Sequence, residues 1–275
     1  MMPDSRPQKP LVSVVVPTKN ASLTVEACLA SIKDQDYPQL ELIVVDNESS
    51  DGTELLAARY ADVLFTGGPE RSAQRNQGIG VAQGQWVLWI DADMVLRSDV
   101  VSSAMSAAEK VSADAVFIPE VTVGSGFWTA CRTLERRCYE GEPLIEAPRL
   151  VRRSFFMSSG GFVPEVAGQE DAELRDRLMR EGRTIARADT MIEHDEGRLT
   201  LRGVLGKRLY YGRSIPAYAA SSPGAVRKQA RATVTAYIRH RHLLAQQPGH
   251  ALGMLFLRSL EAVAYTAGAM RAPRP

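Results

Sequence analysis

Cysteine is scarce in this sequence of 275 residues, which contains only Cys28, Cys131 and Cys138. Three scattered cysteines are too few for the disulfide framework of a small secreted protein, and buried free thiols are typical of a reducing compartment. Residues 1–10 are polar and proline-rich, and they lack the apolar core of a signal peptide. We therefore expect a cytoplasmic protein with a disordered N-terminus over residues 1–10.

Glycine is missing from the turn after the first predicted strand. An apolar run over residues 11–16 ends at Pro17, and the chain continues as Thr18-Lys19-Asn20. The dinucleotide-binding fingerprint needs Gly-x-Gly-x-x-Gly at this point, and the phosphate loop Gly-Lys-Ser/Thr is absent from the whole sequence. These absences argue against an NAD site and against a P-loop site.

Acidic residues are absent between Gly197 and Leu260. Residues 1–196 contain 20 Lys/Arg and 31 Asp/Glu, a net charge of −11, whereas residues 197–275 contain 13 Lys/Arg and one acid, a net charge of +12. So basic a segment suits a polyanion, such as a diphosphate, an anionic membrane surface or a nucleic acid, unless it packs on the acidic part of its own chain. We divide the chain accordingly into a domain over residues 11–196 and a basic, helical region over residues 197–275.

An uninterrupted membrane-spanning run is also absent. Residues 251–270 are mostly apolar and of spanning length, but Arg258 and Glu261 lie near the middle. Each would cost ~2.5–3.5 kcal/mol at the centre of a bilayer. Because they are three residues apart, they share one face of a helix. The pattern favours a helix that lies on an anionic membrane surface, here the inner face of the cytoplasmic membrane, or that packs against a partner.

Short apolar runs alternate with helical patterns along the first part of the chain. The predicted strands cover residues 11–16, 41–45, 63–65, 86–90 and 184–192, and the predicted helices include residues 71–83 and 170–182. A strand and helix rhythm of this kind predicts an α/β fold with a mainly parallel sheet that helices cover.

Acidic residues follow two of these strands directly. Asp46 ends the second strand, and Asp91-Ala92-Asp93 follows the fourth. Open α/β sheets bind ligands at the carboxyl ends of their strands. Residues i and i+2 of an extended chain point the same way, so Asp91 and Asp93 suit a divalent cation with oxygen ligands. A polar turn is the alternative interpretation of this pair.

Several short motifs occur in an order and spacing that are together specific for one family. They are Val14-Val15-Val16-Pro17-Thr18-Lys19-Asn20, Ile43-Val44-Val45-Asp46-Asn47-Glu48-Ser49-Ser50-Asp51-Gly52-Thr53, Ala73-Gln74-Arg75-Asn76-Gln77-Gly78, Asp91-Ala92-Asp93, Gly160-Gly161-Phe162 and Gln169-Glu170-Asp171-Ala172-Glu173-Leu174. With them, residues 11–196 resemble the inverting family 2 glycosyltransferases, which have the GT-A fold, a Rossmann-like arrangement.

The resemblance implies a reaction and a set of roles. A sugar would move, with inversion, from a UDP-, GDP- or dTDP-linked donor to a hydroxyl or phosphate acceptor, which could be a glycan, a small molecule or a lipid-linked, cell-envelope-related substrate. Mn²⁺ or Mg²⁺ would be the cofactor. Asp171 would be the catalytic base, Asp93 would bind the metal, and His194 matches the position where many relatives supply a second ligand. The residues implied in donor binding are Pro17, Thr18, Lys19, Asp46, Arg75, Asp91 and Asp93.

Two of these roles have simpler alternatives. Glu170 and Asp171 open a predicted helix, where carboxylates stabilise the helix dipole by ~0.3–1 kcal/mol. A lone histidine such as His194 is more often structural or solvated, although an imidazole also suits a metal site.

Two further segments are expected to bind substrate, the first from the resemblance and the second from its residue types. Residues 117–153 lie where such enzymes bind the acceptor, and Arg132, Arg136 and Arg137 have a helical spacing there that is equally typical of a solvated face. Residues 207–214 combine cations with aromatic side chains. We expect Arg208 and Arg213 in that segment to close over the donor diphosphate.

Other classes of function are weighed against this one. A sugar-1-phosphate nucleotidyltransferase shares the sheet type, but it carries a glycine-rich basic loop after the first strand, which is absent here. A non-catalytic nucleotide-sugar-binding or membrane-scaffolding module is the other alternative, and the complete set of Asp91, Asp93, Asp171 and His194 argues against it. We expect no nucleic-acid partner, and a homodimer is left open.

Overall fold

The computed structural model describes residues 9–272. Most of the N-terminal segment predicted to be disordered therefore lies outside the described residues. At its end, the carbonyl oxygen of Pro10 accepts a hydrogen bond of 2.7 Å from the Tyr37 hydroxyl.

Ten strands and twelve helices make up the described chain. The strands are β1 (Val12–Thr18), β2 (Leu40–Asp46), β3 (Val63–Thr66), β4 (Trp86–Trp89), β5 (Met94–Leu96), β6 (Ala115–Phe117), β7 (Glu120–Val123), β8 (Pro148–Arg152), β9 (Ile185–Arg187) and β10 (Ile192–Asp195). The helices are α1 (Val25–Lys33), α2 (Thr53–Ala57), α3 (Arg71–Val81), α4 (Val100–Lys110), α5 (Phe127–Tyr139), α6 (Arg153–Ser158), α7 (Glu170–Arg180), α8 (Leu201–Gly212), α9 (Ile215–Ser221), α10 (Ala225–Arg239), α11 (Arg241–Gln246) and α12 (Pro248–Ala269).

Seven of the strands form one sheet, in the order β3-β2-β1-β4-β8-β6-β9, and β5, β10 and β7 form a second, smaller sheet. β1 to β4 pair in parallel, whereas β8 runs antiparallel to β4 and β6. The central strands are apolar on both faces because each face is covered by helices. The predicted fold class, a mainly parallel α/β sheet of GT-A type with a C-terminal helical region, is confirmed.

β1 continues through Pro17, where the sequence predicted its end. Pro17 lies opposite Val45 of β2, whereas β4 pairs with β1 only as far as Val15. The proline therefore stands where β1 has no strand on the β4 side, and its missing N–H costs no ladder hydrogen bond. This extension places Thr18 beside Asp46 at the carboxyl edge of the sheet.

The predicted strand over residues 184–192 is two strands in different sheets. β9 pairs with β6 and β10 pairs with β7, and the chain crosses from one sheet to the other between them. The partner strands β6 and β7 are themselves separated at Pro119, which cannot donate to a ladder. His194 consequently lies within a strand, β10, and not after one.

The C-terminal helices pack on the part of the chain that contains the sheets and on each other. α12 lies against α8 and α5, and Gly212 of α8 meets Gly268 of α12 at backbone distance. A Cβ on Gly212 would stand 2.5 Å from the carbonyl oxygen of Tyr265. Within residues 9–272, no helix has both the length and the apolar character needed to cross a membrane.

An ionic cluster explains the two charged residues in the middle of apolar α12. Glu261 is buried and pairs with Arg132 of α5, with Arg208 of α8 (2.8 Å to Nε) and with Arg258 of its own helix (3.4 Å). Arg132 and Arg258 also pair with the buried Glu135 of α5. The cluster ties three helices together, and it shows that Arg132 belongs to an interface and not to a solvated face.

We expect Glu261→Gln to destabilise the fold by about 3–5 kcal/mol, because removal of one partner of a buried ion pair leaves its charges uncompensated. Arg132 and Arg258 would then share the single carboxylate of Glu135, and Arg208 would lose the acid with which it pairs in the cluster. Thermal unfolding measures the effect, since each kcal/mol lowers the midpoint by ~2–4 °C in a protein of about this size. Glu54→Gln, on an exposed turn of α2, is the matched control. Equal midpoints for the two variants would contradict a stabilising role for the cluster.

Candidate active site

Three of the residues singled out in the sequence meet at the carboxyl edge of the large sheet. Asp91 follows β4, Asp171 stands in the first turn of α7, and Arg75 comes from the middle of α3. The Arg75 guanidinium is completely buried, with Nη2 2.5 Å from Asp91 Oδ1 and Nη1 3.1 Å from Asp171 Oδ1. One arginine thus links the Asp-x-Asp motif to the predicted base.

The two oxygens of Asp171 have different surroundings. Oδ1 accepts hydrogen bonds from Arg75 Nη1 at 3.1 Å and from Trp89 Nε1 at 3.0 Å. Among residues 9–272, the one cation near Oδ2 is Arg149, whose Nη1 lies 3.8 Å away, and the Asp171 side chain remains 21% exposed. One oxygen is therefore fixed while the other is open to an incoming group.

Residues that the sequence analysis missed complete an ionic lattice around Asp91. Arg71 Nη2 lies 2.5 Å from Glu170 Oε1, and Arg71 Nη1 lies 3.4 Å from Asp91 Oδ2. On the other side, Arg149 Nε donates to Glu120 at 2.8 Å, and its Nη1 lies 4.0 Å from Asp91. The sequence could have predicted Arg71 at the site, because Arg71 precedes Arg75 by one helical turn and lies on the same face of α3. It could not have predicted Arg149 and Glu120 there, since they come from distant strands of the two sheets.

The lattice holds Asp91 and Glu120 in the ionised form. Burial raises the pKa of Asp91, but the positive charges of Arg75, Arg71 and Arg149 outweigh burial and keep its pKa well below the usual range. The pKa of Glu120 is likewise lowered by Arg149 against the effect of burial. Neither group takes up a proton near neutral pH.

Asp93 and His194 form the neighbouring half of the site. His194 Nε2 lies 3.4 Å from Asp93 Oδ2, and His194 Nδ1 lies 3.4 Å from Glu120 Oε2 and 3.1 Å from Arg136 Nη2. Burial lowers the pKa of His194, but hydrogen bonds with Asp93 and Glu120 raise it to about 9. Arg136 also pairs with Glu120 at 2.7 Å, so it too is no solvated residue.

Asp93 and His194 can supply part of the ligand set of a divalent cation. Asp93 Oδ1 is buried and has no hydrogen-bond partner within residues 9–272. In the same part of the chain, no group of three or more His, Cys, Asp or Glu side chains is arranged around a common metal position. A carboxylate oxygen and an imidazole suit Mn²⁺ or Mg²⁺ when a ligand supplies the remaining oxygens.

The loops after β1 and β2 are locked together beside this centre. Asp46 is 1% exposed, and its Oδ1 accepts from the hydroxyls of Thr18 (2.6 Å) and Ser49 (2.7 Å), while the Ser49 N–H donates to Oδ2 at 2.8 Å. Oδ2 therefore keeps one lone pair for a ligand. The Lys19 ammonium donates to the carbonyl oxygens of Asn47 and Glu48 (2.9 Å to Glu48), which holds the two loops to each other.

Arg208 and Arg213 do not join these residues in this conformation. Arg208 points into the ionic cluster, where it pairs with the buried carboxylate of Glu261, and it also donates to the Tyr265 hydroxyl at 3.1 Å. Arg213 is exposed at the end of α8. Tyr210 and Tyr211 reach the site instead, through a hydrogen bond from Tyr210 to Glu70 and through packing of the Tyr211 ring on Gly168. The roles of both arginines at the donor stay predictions.

The family model named Glycosyl transferase family 2 matches residues 13–159. The chain belongs to glycosyltransferase family 2. This membership confirms the family that the motifs indicated and leaves no place for the nucleotidyltransferase alternative.

Individual relatives agree with the family. The chain is 32% identical over 111 residues to the GalNAc(5)-diNAcBac-PP-undecaprenol beta-1,3-glucosyltransferase of Campylobacter jejuni, a match that covers 37% of this chain and 35% of that protein. The chain matches between 35% and 39% of the length of the first curated relatives.

Two solved structures share the fold along nearly the whole chain. The mannosyltransferase PcManGT from Pyrobaculum calidifontis, in complex with GDP-Man and Mn²⁺, is 20% identical with a TM-score of 0.67, covering 96% of this chain and 88% of its own. Residues 1–349 of Staphylococcus aureus TarS, in complex with UDP-GlcNAc, are 17% identical with a TM-score of 0.58, covering 94% and 90% of the two chains.

We expect His194 in the metal-free glycosyltransferase to titrate at a pKa of about 9, as its hydrogen bonds with Asp93 and Glu120 require. Imidazole resonances followed by NMR against pH measure it, and His194→Gln assigns the signal. Asp93→Asn should lower the pKa because the neutral amide no longer favours the imidazolium. Asp189→Asn, an exposed acid before β10, should leave it in place. A wild-type value at the usual 6.5 would contradict this geometry.

Proposed function

We propose that this family 2 glycosyltransferase moves a glycosyl group, with inversion, from a nucleoside-diphosphate sugar to an acceptor hydroxyl, and that Asp171 is the base. The observation that carries the proposal is the divided environment of Asp171. Arg75 and Trp89 fix Oδ1, while Oδ2 accepts no hydrogen bond from residues 9–272 and the side chain is 21% exposed. A carboxylate held in this way can meet an acceptor hydroxyl at a defined position.

The proposed transfer needs one proton acceptor on the side opposite the leaving group. The acceptor oxygen attacks the anomeric carbon, and its proton passes to Asp171 Oδ2. The bond between the anomeric carbon and the diphosphate oxygen breaks, and its electron pair stays on the diphosphate. Hydrogen bonds to Oδ1 keep the carboxylate oriented without occupying Oδ2. Correct orientation of a reacting group contributes substantially to the rate.

The donor is assigned to the carboxyl edge of β1, β2 and β4. Asp46 would accept one hydrogen bond from the base or the ribose, and Pro17, Thr18 and Lys19 would line the nucleotide pocket. The complexes of PcManGT with GDP-Man and of TarS with UDP-GlcNAc support a nucleoside-diphosphate sugar as the substrate class.

A divalent cation is the proposed cofactor, with Asp93 and His194 as its protein ligands. When bound, Mn²⁺ or Mg²⁺ would neutralise the charge that develops on the departing diphosphate. The unpartnered Asp93 Oδ1 supports this role, as does the Mn²⁺ in the PcManGT complex. His194 must release its proton before it can bind a metal, so metal affinity should rise with pH up to about 9.

We expect Asp171→Asn to lower the transfer rate by about 10²–10⁴-fold, because the amide cannot take up the acceptor proton. Binding of UDP or GDP with Mn²⁺, measured by calorimetry, should be retained. Glu181→Gln, an exposed residue after α7, is the control and should transfer at the wild-type rate.

Two results would contradict parts of this assignment. An Asp171→Asn enzyme that is as active as the wild type would remove Asp171 as the base. Transfer that continues at the full rate in EDTA would remove the metal from the proposal and leave the base intact.

The outer face of α12 supports docking on an anionic membrane surface, as part of the same proposal. Leu252, Leu255, Phe256, Val263 and Met270 are all exposed. They recur at helical spacing over about 27 Å, at a rise of ~1.5 Å per residue. The exposed cations of residues 197–275, among them Arg202, Arg231 and Arg241, complement anionic lipid headgroups. Such docking would bring a lipid-linked acceptor, like the undecaprenol-linked substrate named for the Campylobacter relative, to the site.

We expect the full-length protein to float with liposomes containing phosphatidylglycerol, and Leu252→Glu/Leu255→Glu to abolish flotation because it places charges on the apolar stripe. Leu55→Glu/Val111→Glu makes the same change at exposed apolar residues elsewhere and should leave flotation unchanged. Wild-type protein that stays in the dense fraction would overturn membrane docking.

A further inference from the structure

A cavity of about 490 Å³ opens between the second half of α7 and the first turn of α10, outside the site described above. Leu144, Met179 and Pro223 form its apolar wall, and Arg180 and Lys228 stand at its basic side. A mixed lining of this kind suits a ligand that has both an anionic group and a carbon skeleton.

A buried hydroxyl in this cavity has no partner. Ser222 lines the cavity and is only 4% exposed, and its Oγ has no hydrogen bond within residues 9–272. Buried polar groups in folded proteins are almost always paired. The unsatisfied hydroxyl therefore indicates a ligand that carries a hydrogen-bond acceptor.

The N-terminus of α10 lies at the same place, because Ala225 and Lys228 of its first turn line the cavity. Gly224 caps this helix of 15 residues without a side-chain hydrogen bond. The N–H groups of Ala225 and Lys228 are already used by the carbonyl oxygens of Ser222 and Gly224, at 3.0 Å each. What the helix adds to the cavity is therefore the positive end of its dipole, which attracts anions.

The side-chain charges at the cavity are positive in balance. Arg180 is held there by a hydrogen bond of 3.0 Å from its Nη1 to the carbonyl oxygen of Ser221. Within residues 9–272, no acid forms an ion pair with Arg180 or Lys228, whereas the neighbouring Arg177 pairs with Glu173 and Arg183 pairs with Glu181. The one acid of the lining, Asp176, is already engaged by Arg175 at 2.8 Å and by the Tyr218 hydroxyl at 2.7 Å.

We propose that this cavity binds a phosphate ester group. The Ser222 hydroxyl would donate to one phosphate oxygen, and Arg180 and Lys228 would donate to the others and balance their charge. A hydroxyl donor together with two cations matches the oxygens of a phosphate group better than it matches a carboxylate. The apolar wall would take the carbon part of the ester.

The position of the cavity suggests whose phosphate it binds, and this step rests on the proposed function. α7 carries Asp171 in its first turn and the cavity residues Arg175 and Met179 one and two turns further on. At a rise of ~1.5 Å per residue, the cavity lies roughly 6–14 Å from Asp171 along the helix. An acceptor that presents a hydroxyl to Asp171 can place a phosphate here. A free phosphate ester, bound independently of the acceptor, has the same chemistry.

Calorimetric titration with inorganic pyrophosphate, in EDTA to keep metal from the donor site, tests the cavity itself. We expect wild-type protein to bind, and the Kd of Arg180→Gln/Lys228→Gln to be weaker by about tenfold or more, because two charge-assisted contacts are lost. Ser222→Ala should weaken binding less. Arg231→Gln/Arg241→Gln removes the same charge from exposed positions of α10 and α11 and should bind like the wild type.

Equal affinity in all these proteins would overturn the site, since the pyrophosphate would then be bound elsewhere. Wild-type protein that does not bind pyrophosphate would overturn it as well. Both results are independent of sugar transfer, so a failure of the proposed function leaves this titration able to decide.

Kinetics with two acceptors, an octyl glycoside and its octyl-diphosphate counterpart, separate the two sources of the phosphate. If the phosphate belongs to the acceptor, Arg180→Gln/Lys228→Gln should raise KM about tenfold for the diphosphate acceptor alone, with kcat unchanged. If it belongs to a separate ligand, pyrophosphate should change the wild-type rate on the octyl glycoside but not that of the variant. Unchanged kinetics in both arms would overturn the link between the cavity and the reaction.

Discussion

The buried guanidinium of Arg75 is the interaction on which the site depends. It is completely buried, and its two terminal nitrogens contact carboxylates from the end of β4 and from the start of α7. A buried charge is tolerated only when partners compensate it, and removal of one partner leaves the other uncompensated. Arg75 therefore fixes Asp91 and Asp171 relative to each other without any ligand. If Asp91 binds the donor and Asp171 is the base, as proposed, this one residue aligns the two sides of the site.

The charge balance around Arg75 explains why the site suits a cation. Arg71, Arg75, Arg136 and Arg149 face five carboxylates, which leaves one negative charge, and Asp93 adds another. The five belong to Asp91, Glu120, Glu170, Asp171 and Glu196. In the metal-free protein, the protonated form of His194 supplies part of the missing positive charge, because hydrogen bonds with Asp93 and Glu120 raise its pKa. In the proposed reaction, a divalent cation replaces that proton and adds the charge that a diphosphate needs. On this proposal, the proton and the metal would compete for the same nitrogen of His194.

The sequence predicts those parts of the site that depend on local rules. Asp46, Asp91 and Asp93 were found because each follows a strand, and the strand ends of a parallel sheet meet at one edge. Glu120 and Arg149 were not found, since they reach the site through an antiparallel strand and a second sheet, whose pairing no local pattern encodes. The strand predicted over residues 184–192 was wrong for a related reason. The sequence pattern gives no sign of a break within this segment, whereas its partner changes from β6 to β7, which are separated at Pro119.

Arg208 marks a different limit of sequence reasoning. Its neighbours in the sequence are cations and aromatic residues, which suggested a diphosphate contact, yet its partner Glu261 lies on α12, distant in sequence. A buried charge in an apolar helix needs partners of opposite charge, and only the tertiary structure shows which residues they are. For Glu261 they are Arg132, Arg208 and Arg258.

The basic residues of the segment 197–275 thus lie in different environments and have different partners. Arg208 and Arg258 compensate buried acids, one of them from α5, and so contribute to stability and not to an outer field. The cations left on the surface lie mainly on α8 and α10, and Lys228 among them borders the cavity beside α7. Since α7 also begins with the proposed base, this helix connects the ionic lattice at its first turn to the basic cavity near its last. A net charge counted along the sequence cannot separate these uses, because each depends on which acid lies within a few ångströms in the fold.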